Sequence, residues 1–330
     1  MSEFEAYGRP NAGVDPSASV SPMSPWEEEL GRGWTQAQVV GASGLRHPSG
    51  AEVEARYVGN PATPIFAVFH RPANHPAGVV VVCSPPYSEA IRNHRRELLF
   101  AWLASERGLA VARFHPRGGG HSGGDTEDMS LATMQDDAAM VAREAMEHFQ
   151  SPLLGLVGAR LGAIVAHRVA AEYPHVAVAW WQPVLDSERY LNELSRARLI
   201  GDLKRGVRGD NLPLDEQLMS EGVVDVLGSP ITREFAKSLV DRPLDDAPEG
   251  PRRGLLVQMS RHDELQKPYE LFADELDRRN WTVSRLVIPD EETWWFGARG
   301  AGSEYRVRSV AMAVLPATID FFRADEGALV

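Results

Sequence analysis

Apolar residues in this chain fall into two alternating patterns, short continuous runs and longer stretches with a helical period. Residues 51–58 and 63–71 predict an opening antiparallel pair of strands, divided by Gly59-Asn60-Pro61. Residues 79–83 are wholly apolar, as expected for a strand covered on both faces. Residues 92–107 repeat at helical spacing through Leu98, Leu99, Trp102 and Leu103, and Gly108 ends the run. A strand at 109–114 and a helix at 130–149 follow, the helix opened by Ser130 as N-cap. Residues 153–157 read as a strand, and the helix after it runs to Tyr173, where Pro174 stops it. Further strands are expected at 176–181, 254–259 and 282–288, and a closing helix includes 316–322. This succession implies an α/β fold with a mostly parallel sheet, right-handed crossovers and helices on both faces.

One interval breaks the rhythm. From Leu185 to about Gly250 no strand stands out, but amphipathic helical stretches do, at 186–204 and 232–240. The expected organisation is therefore a loose tail over 1–35, a core over 36–184 and 251–330, and a helical cap insertion over 185–250. A cap there would cover the strand C-termini, where ligands sit in open α/β sheets.

The run Gly158-Ala159-Arg160-Leu161-Gly162 sharpens the picture, because it has the glycine spacing of a nucleophile elbow, G-x-S-x-G. Its apex is arginine, which stays protonated and cannot attack a carbonyl. Composition narrows the partners. With 330 residues and 43% hydrophobic content a substantial core can be buried, and a net charge of -12 disfavours nucleic acid and anionic membranes as partners. A single cysteine, Cys83, rules out an intrachain disulfide and suits a reducing compartment. The N-terminal stretch lacks the basic and apolar regions of a secretory signal, and no apolar run reaches the roughly 18 residues of a membrane span. The expectation is a cytoplasmic protein with no membrane span, with homo-oligomer formation left open.

From about Ala51 to the C-terminus the chain resembles the α/β-hydrolase superfamily, and more narrowly the exosortase A system-associated hydrolases. The residues that carry the likeness are Val82-Cys83-Ser84-Pro85-Pro86-Tyr87, Asn93-His94-Arg95-Arg96-Glu97 and Arg113-Phe114-His115-Pro116-Arg117-Gly118-Gly119-Gly120-His121-Ser122-Gly123-Gly124. The Gly-Ala-Arg-Leu-Gly-Ala elbow completes the set, and an apical arginine also occurs in one branch of that group. The superfamily order is nucleophile, acid, histidine. The resemblance puts Arg160 at the nucleophile position and Asp263 at the acid position. The histidine position falls in Pro289-Asp290-Glu291-Glu292-Thr293-Trp294-Trp295, which has no histidine; His262 is the last in the chain.

If the loops run as in the superfamily, Arg160, Asp263 and Glu291 or Glu292 converge. The guanidinium would then hold a carboxylate, phosphate or developing oxyanion at a helix N-terminus, or simply fill the vacated triad space as a salt bridge. A relocated pair is the alternative, with Cys83 or Ser84 as nucleophile and His115 as base; an inert core cysteine and a structural His115 are the plainer account. Ser84, Tyr87 and Arg117 are candidate ligand contacts. Trp180, Trp181, Trp294 and Trp295 lie at or beyond strand ends, where they would line an apolar pocket or pack in the core.

Other motifs are less informative. The glycine-rich stretch 118–124 lacks the Lys-Ser/Thr of a phosphate loop, and His115, His121 and Asp125 lack a firmly placed third metal ligand. No cofactor or metal is implied. Arg189, Arg196, Arg198, Lys204, Arg205 and Arg208 either face an anionic ligand or form a solvated helix surface. Two functions remain: a noncanonical enzyme handling an acyl or carboxylate-bearing molecule around Arg160, and a catalytically silent binding or scaffold subunit.

Overall fold

The computed structural model describes residues 45–46, 50–206, 212–239, 247–289 and 307–324. They all fall within one compact unit, Ala42–Val330. The expected tail over 1–35 lies outside the described residues.

The chain opens with strands β1 (Leu45–Arg46), β2 (Glu52–Val58) and β3 (Ile65–Arg71), then β4 (Val79–Cys83) and helix α1 (Tyr87–Glu106). Next come β5 (Ala110–Phe114), α2 (Leu131–Phe149), β6 (Leu153–Ala159), α3 (Leu161–Ala171) and β7 (Ala177–Trp181). After an insertion the chain resumes with β10 (Arg252–Ser260), α7 (Lys267–Arg278), β11 (Trp281–Pro289) and α8 (Val307–Arg323). The nine-stranded sheet has the order β1-β2-β3-β5-β4-β6-β7-β10-β11. The β1–β2, β2–β3 and β3–β5 pairs are antiparallel; from β5 to β11 all neighbours are parallel.

Alternation along β4 divides the two faces. Val79, Val81 and Cys83 join the large core shared with α2 and α3, including Val141, Ala142, Ile164 and Val165. Val80, Val82 and then Ser84 point the other way, toward the layer in which α1 and α8 pack together. The sheet is thus covered on both sides, which explains why β4 to β7 read as nearly continuous apolar runs.

Most expected elements appear within a few residues of their bounds. Ser130 caps α2, accepting a hydrogen bond from the Thr133 amide. α1 begins at Tyr87, five residues before the periodic run suggests. The insertion departs more from expectation. It contains α4 (Ser187–Arg205), α5 (Leu214–Glu221) and α6 (Arg233–Ser238), but also an antiparallel hairpin of β8 (Val223–Val226) and β9 (Ser229–Thr232). The expectation of no strand between 185 and 250 is corrected here. Val223-Val224-Asp225-Val226 alternates exposed and buried, and Leu227-Gly228 turns with both residues at positive φ. The leucine in the first turn position hides a signal that Asn-Gly would have given.

Candidate active site

The elbow is present in backbone geometry. Arg160, between β6 and α3, has φ 55° and ψ -121°, a strained conformation for a side chain-bearing residue. The flanking glycines permit close packing that no other residue could. A Cβ at Gly158 would lie 2.2 Å from the Gly162 carbonyl oxygen, and one at Gly162 would lie 2.1 Å from the Cys83 carbonyl oxygen. So strand, helix and the end of β4 meet at this point.

The Arg160 side chain is almost fully buried. Its Nη2 donates to Glu193 Oε2 on α4 at 2.5 Å, and its Nε lies 3.7 Å from Glu89 Oε1 on α1. The guanidinium also sits over the Tyr190 ring, 5.6 Å from its centroid. Burial opposes the charge, but the fields of Glu89 and Glu193 prevail and hold the guanidinium protonated more firmly than usual. Burial likewise pushes the Glu89 carboxyl up to about 7, with Arg160 working against that rise. Among the described residues, the acids that meet Arg160 are Glu89 and Glu193. Asp263 instead lies in the exposed stretch 261–264, and no ion pair links it to Arg160 among the described residues. Glu291, Glu292, Trp294 and Trp295 lie outside the described residues, as does Arg208.

The open space lies beside this cluster. A cavity of about 620 Å³ is bounded by the end of β4, the first turns of α1, the end of β5 and the loop after it. Ser84, Pro85, Pro86, Tyr87, His94, Glu97, Arg113, His115 and His121 contribute to its wall; Arg160 does not. Gly228, Ser229 and Pro230, from the insertion's hairpin, close part of its rim.

Strand register explains how the polar groups converge. Val82 pairs with Arg113 across β4 and β5, and Val68 pairs with Arg113 across β3 and β5. Paired residues share a face, so Arg113, Ser84 and His70 all project to the α1 side. There Ala90, His94 and Glu97, at helical spacing, meet them. Ser84 Oγ donates to Glu97 Oε2 at 2.6 Å, whereas Glu97 Oε1 has no hydrogen-bond partner among the described residues. Burial raises the Glu97 pKa, although the Ser84 hydrogen bond opposes the shift.

Arg113 is the most telling group. Its side chain is buried, and its only hydrogen bond among the described residues runs from Nε to His70 Nε2, at 3.3 Å. No carboxylate lies within ion-pair distance of it among those residues. Burial lowers its pKa to about 10, with Glu97 working the other way. His94 and His115, which line the same cavity, are depressed as well. His94 is lowered by burial and then by Arg113; His115 falls to about 4 through burial, His121, His94 and Arg113. His115 Nδ1 accepts the His121 amide at 3.0 Å. In the neutral ring Nε2 must then carry the hydrogen, so His115 faces the site as a donor rather than a base.

The remaining candidates divide between cavity and core. Ser84, Tyr87 and His115 line the cavity, as does His121. Arg117 turns away from it and binds buried Asp137 through its amide and guanidinium, with Nη2–Oδ1 at 2.6 Å. Cys83 is buried, and burial followed by the Glu97 charge pushes its thiol pKa strongly up, which disfavours the thiolate. Trp181 is core, donating to Thr318 Oγ1 and packing edge-on against Phe100. Trp180 is core too, packed at tilted and edge-on angles among His167, Phe272 and Trp281. Sequence reading did not assign Glu97, His94 and Arg113 a role. The signals were an arginine inside the otherwise apolar strand Ala-Val-Ala-Arg-Phe, and the i, i+4, i+7 spacing of Ala90, His94 and Glu97.

No family model and no curated protein matches this chain. Solved structures do match it in fold. Est1E from Butyrivibrio proteoclasticus, solved with ferulic acid bound, is 14% identical with a TM-score of 0.54, covering 82% of this chain and 100% of its own. A carboxyl esterase from Bacillus coagulans is also 14% identical, TM-score 0.54, covering 83% of this chain and 99% of its own. An esterase from Pyrococcus furiosus is 15% identical, TM-score 0.53, covering 83% and 91%. With the strand order, the mostly parallel sheet and the strained elbow, these likenesses show that the chain has the α/β-hydrolase fold.

Proposed function

We propose that this protein binds a small acyl or carboxylate-bearing molecule in the cavity between β4, β5 and α1, with Arg113 as the anion-holding group. The single observation that carries this reading is a buried guanidinium facing a cavity with no carboxylate within ion-pair distance among the described residues. Glu97 offsets part of the burial cost by its field but makes no ion-pair contact, and an anionic ligand in direct contact would lower that cost further. His115 Nε2–H adds a neutral donor beside it. The cavity's size falls in the range of small-molecule sites, and Phe66, Val68, Ala90, Ile91, Phe114 and Met129 give the rest of its wall an apolar character. The role first expected of Arg160 thus passes to Arg113, and Arg160 serves as the ionic filling of the triad space. The 185–250 insertion acts as a cap, since its hairpin reaches the cavity rim. A cytoplasmic location, read from the lone cysteine and the lack of a signal or span in the sequence, and the narrower exosortase-associated grouping, read from the motifs, belong to the same reading.

Titration calorimetry with 4-phenylbutyrate and with its alcohol analogue tests this. The carboxylate is expected to bind and the alcohol to bind at least tenfold more weakly. Arg113→Met is expected to weaken the carboxylate by about 10- to 150-fold, the worth of a lost charge-assisted contact. Equal binding by wild type and Arg113→Met would overturn the proposal.

A further inference from the structure

The cavity contains one hydroxyl in the geometry of an activated nucleophile. We propose that Ser84 and Glu97 form a serine–carboxylate pair that transfers acyl groups from esters bound in this cavity, so that the fold's chemistry has moved from the elbow to the end of β4. This rests on the cavity being the ligand site.

Three observations support it. First, Ser84 Oγ points to the cavity and donates to Glu97 Oε2 at 2.6 Å, the reach required between a nucleophile and its base. Second, Glu97 is the only carboxylate among the described residues that line the cavity, and its buried Oε1 has no hydrogen bond among them. Its environment also shifts it toward neutrality, which makes the carboxylate a stronger base than one in water. Third, the relocated base expected from sequence, His115, spends its ring lone pair on the His121 amide, so the base falls to Glu97. Pro85 and Pro86 remove two N–H groups from the loop that normally helps form an oxyanion hole, and Arg113 takes that place on the same face of the sheet.

The step balances with water as the only further reactant. Ser84 Oγ attacks the ester carbonyl carbon as its proton passes to Glu97, and the carbonyl oxygen becomes an oxyanion facing Arg113. Collapse of that intermediate breaks the bond to the alkoxy oxygen, which leaves as the alcohol after taking the proton from Glu97. Water then attacks acyl-Ser84, with Glu97 as base again, and releases the carboxylic acid and the free hydroxyl. The product carboxylate is the ligand that Arg113 holds.

The test uses full-length protein and p-nitrophenyl butyrate, read by intact-mass spectrometry and peptide mapping. The expected result is butyryl on the peptide bearing Ser84, with a burst of p-nitrophenol near one equivalent. Ser84→Ala should abolish both while still binding 4-phenylbutyrate. Glu97→Gln, nearly isosteric, should slow release by about 10²–10⁴-fold and remove the acidic limb of the pH–rate profile. Ser84→Cys should restore an acyl adduct at position 84, which separates chemistry from misfolding. Carboxylate binding by wild type without any adduct, or an unchanged burst in Ser84→Ala, would overturn this proposal and leave the binding site standing. Loss of binding in wild type would remove both.

Discussion

Arg160 at the elbow apex is joined to Glu193 on α4 by a 2.5 Å hydrogen-bonded ion pair, so the position that carries the nucleophile in a serine hydrolase here ties the core to the insertion. Arg160→Ala would leave Glu89 and Glu193 without their shared cation. A loss of about 3–5 kcal/mol in unfolding free energy is expected by urea denaturation, as for other broken buried pairs. Arg160→Ser should lose stability too and gain no esterase activity, because among the described residues no imidazole hydrogen-bonds or pairs at this position. Combining Arg160→Met with Glu89→Gln and Glu193→Gln should recover part of the loss. A single Arg160→Ala variant of wild-type stability would refute this account.

The elbow glycines yield a steric prediction. Gly158→Ala and Gly162→Ala each put a Cβ within about 2.2 Å of a backbone carbonyl oxygen, and backbone cannot rotate aside as a side chain can. Each change should cost at least the 1–3 kcal/mol typical of overpacking. Soluble yield and thermal melting of the two variants provide the measurement.

Asp137 anchors the loop that forms one cavity wall. Its buried carboxylate receives the Arg117 amide at 2.8 Å and the Arg117 guanidinium at 2.6 Å, next to cavity-lining Pro116 and Gly118. Asp137→Ala should cost about 1–3 kcal/mol. It should also weaken 4-phenylbutyrate binding without touching the ligand, which calorimetry on a folded variant would show.

His167 supplies a pH dependence. Its ring is fully buried against Trp180 and Trp281, and burial, then Arg252, Arg168 and Arg279, lower its pKa to about 3. The ring stays neutral in the folded protein, whereas in the unfolded chain it takes a proton below about 6.5. The stability this group contributes is therefore complete above pH 6.5 and is lost as pH falls toward 3. Within that window wild type should lose about 1.4 kcal/mol per pH unit more than His167→Phe does, the value for one proton. Parallel stability–pH curves for the two proteins would contradict the assignment.

Much of the fold was legible because it depends on local pattern. A short β-branched run such as Val79-Val80-Val81-Val82-Cys83 favours a strand buried on both faces, and Gly158 and Gly162 mark the elbow whatever side chain occupies its apex. The β8–β9 hairpin was harder to see, since its strands are four residues each and its turn uses leucine where Asn or Gly would signal φ > 0.

The site divides along the same line. That Arg160 cannot be a nucleophile, and that no histidine follows His262, are facts of residue type and order which no folding could change. Among the described residues, the acids that meet Arg160 were decided by helices far apart in sequence, one bringing Glu89 and the other Glu193, and not by the loop after β10. Likewise, Ser84, Glu97 and Arg113 are joined only because β4 pairs with β5 in a register that puts Val82 opposite Arg113 and turns both strands' polar residues toward α1. Side-chain chemistry is written residue by residue, but a site is a set of distances, and those are set by strand register and helix packing.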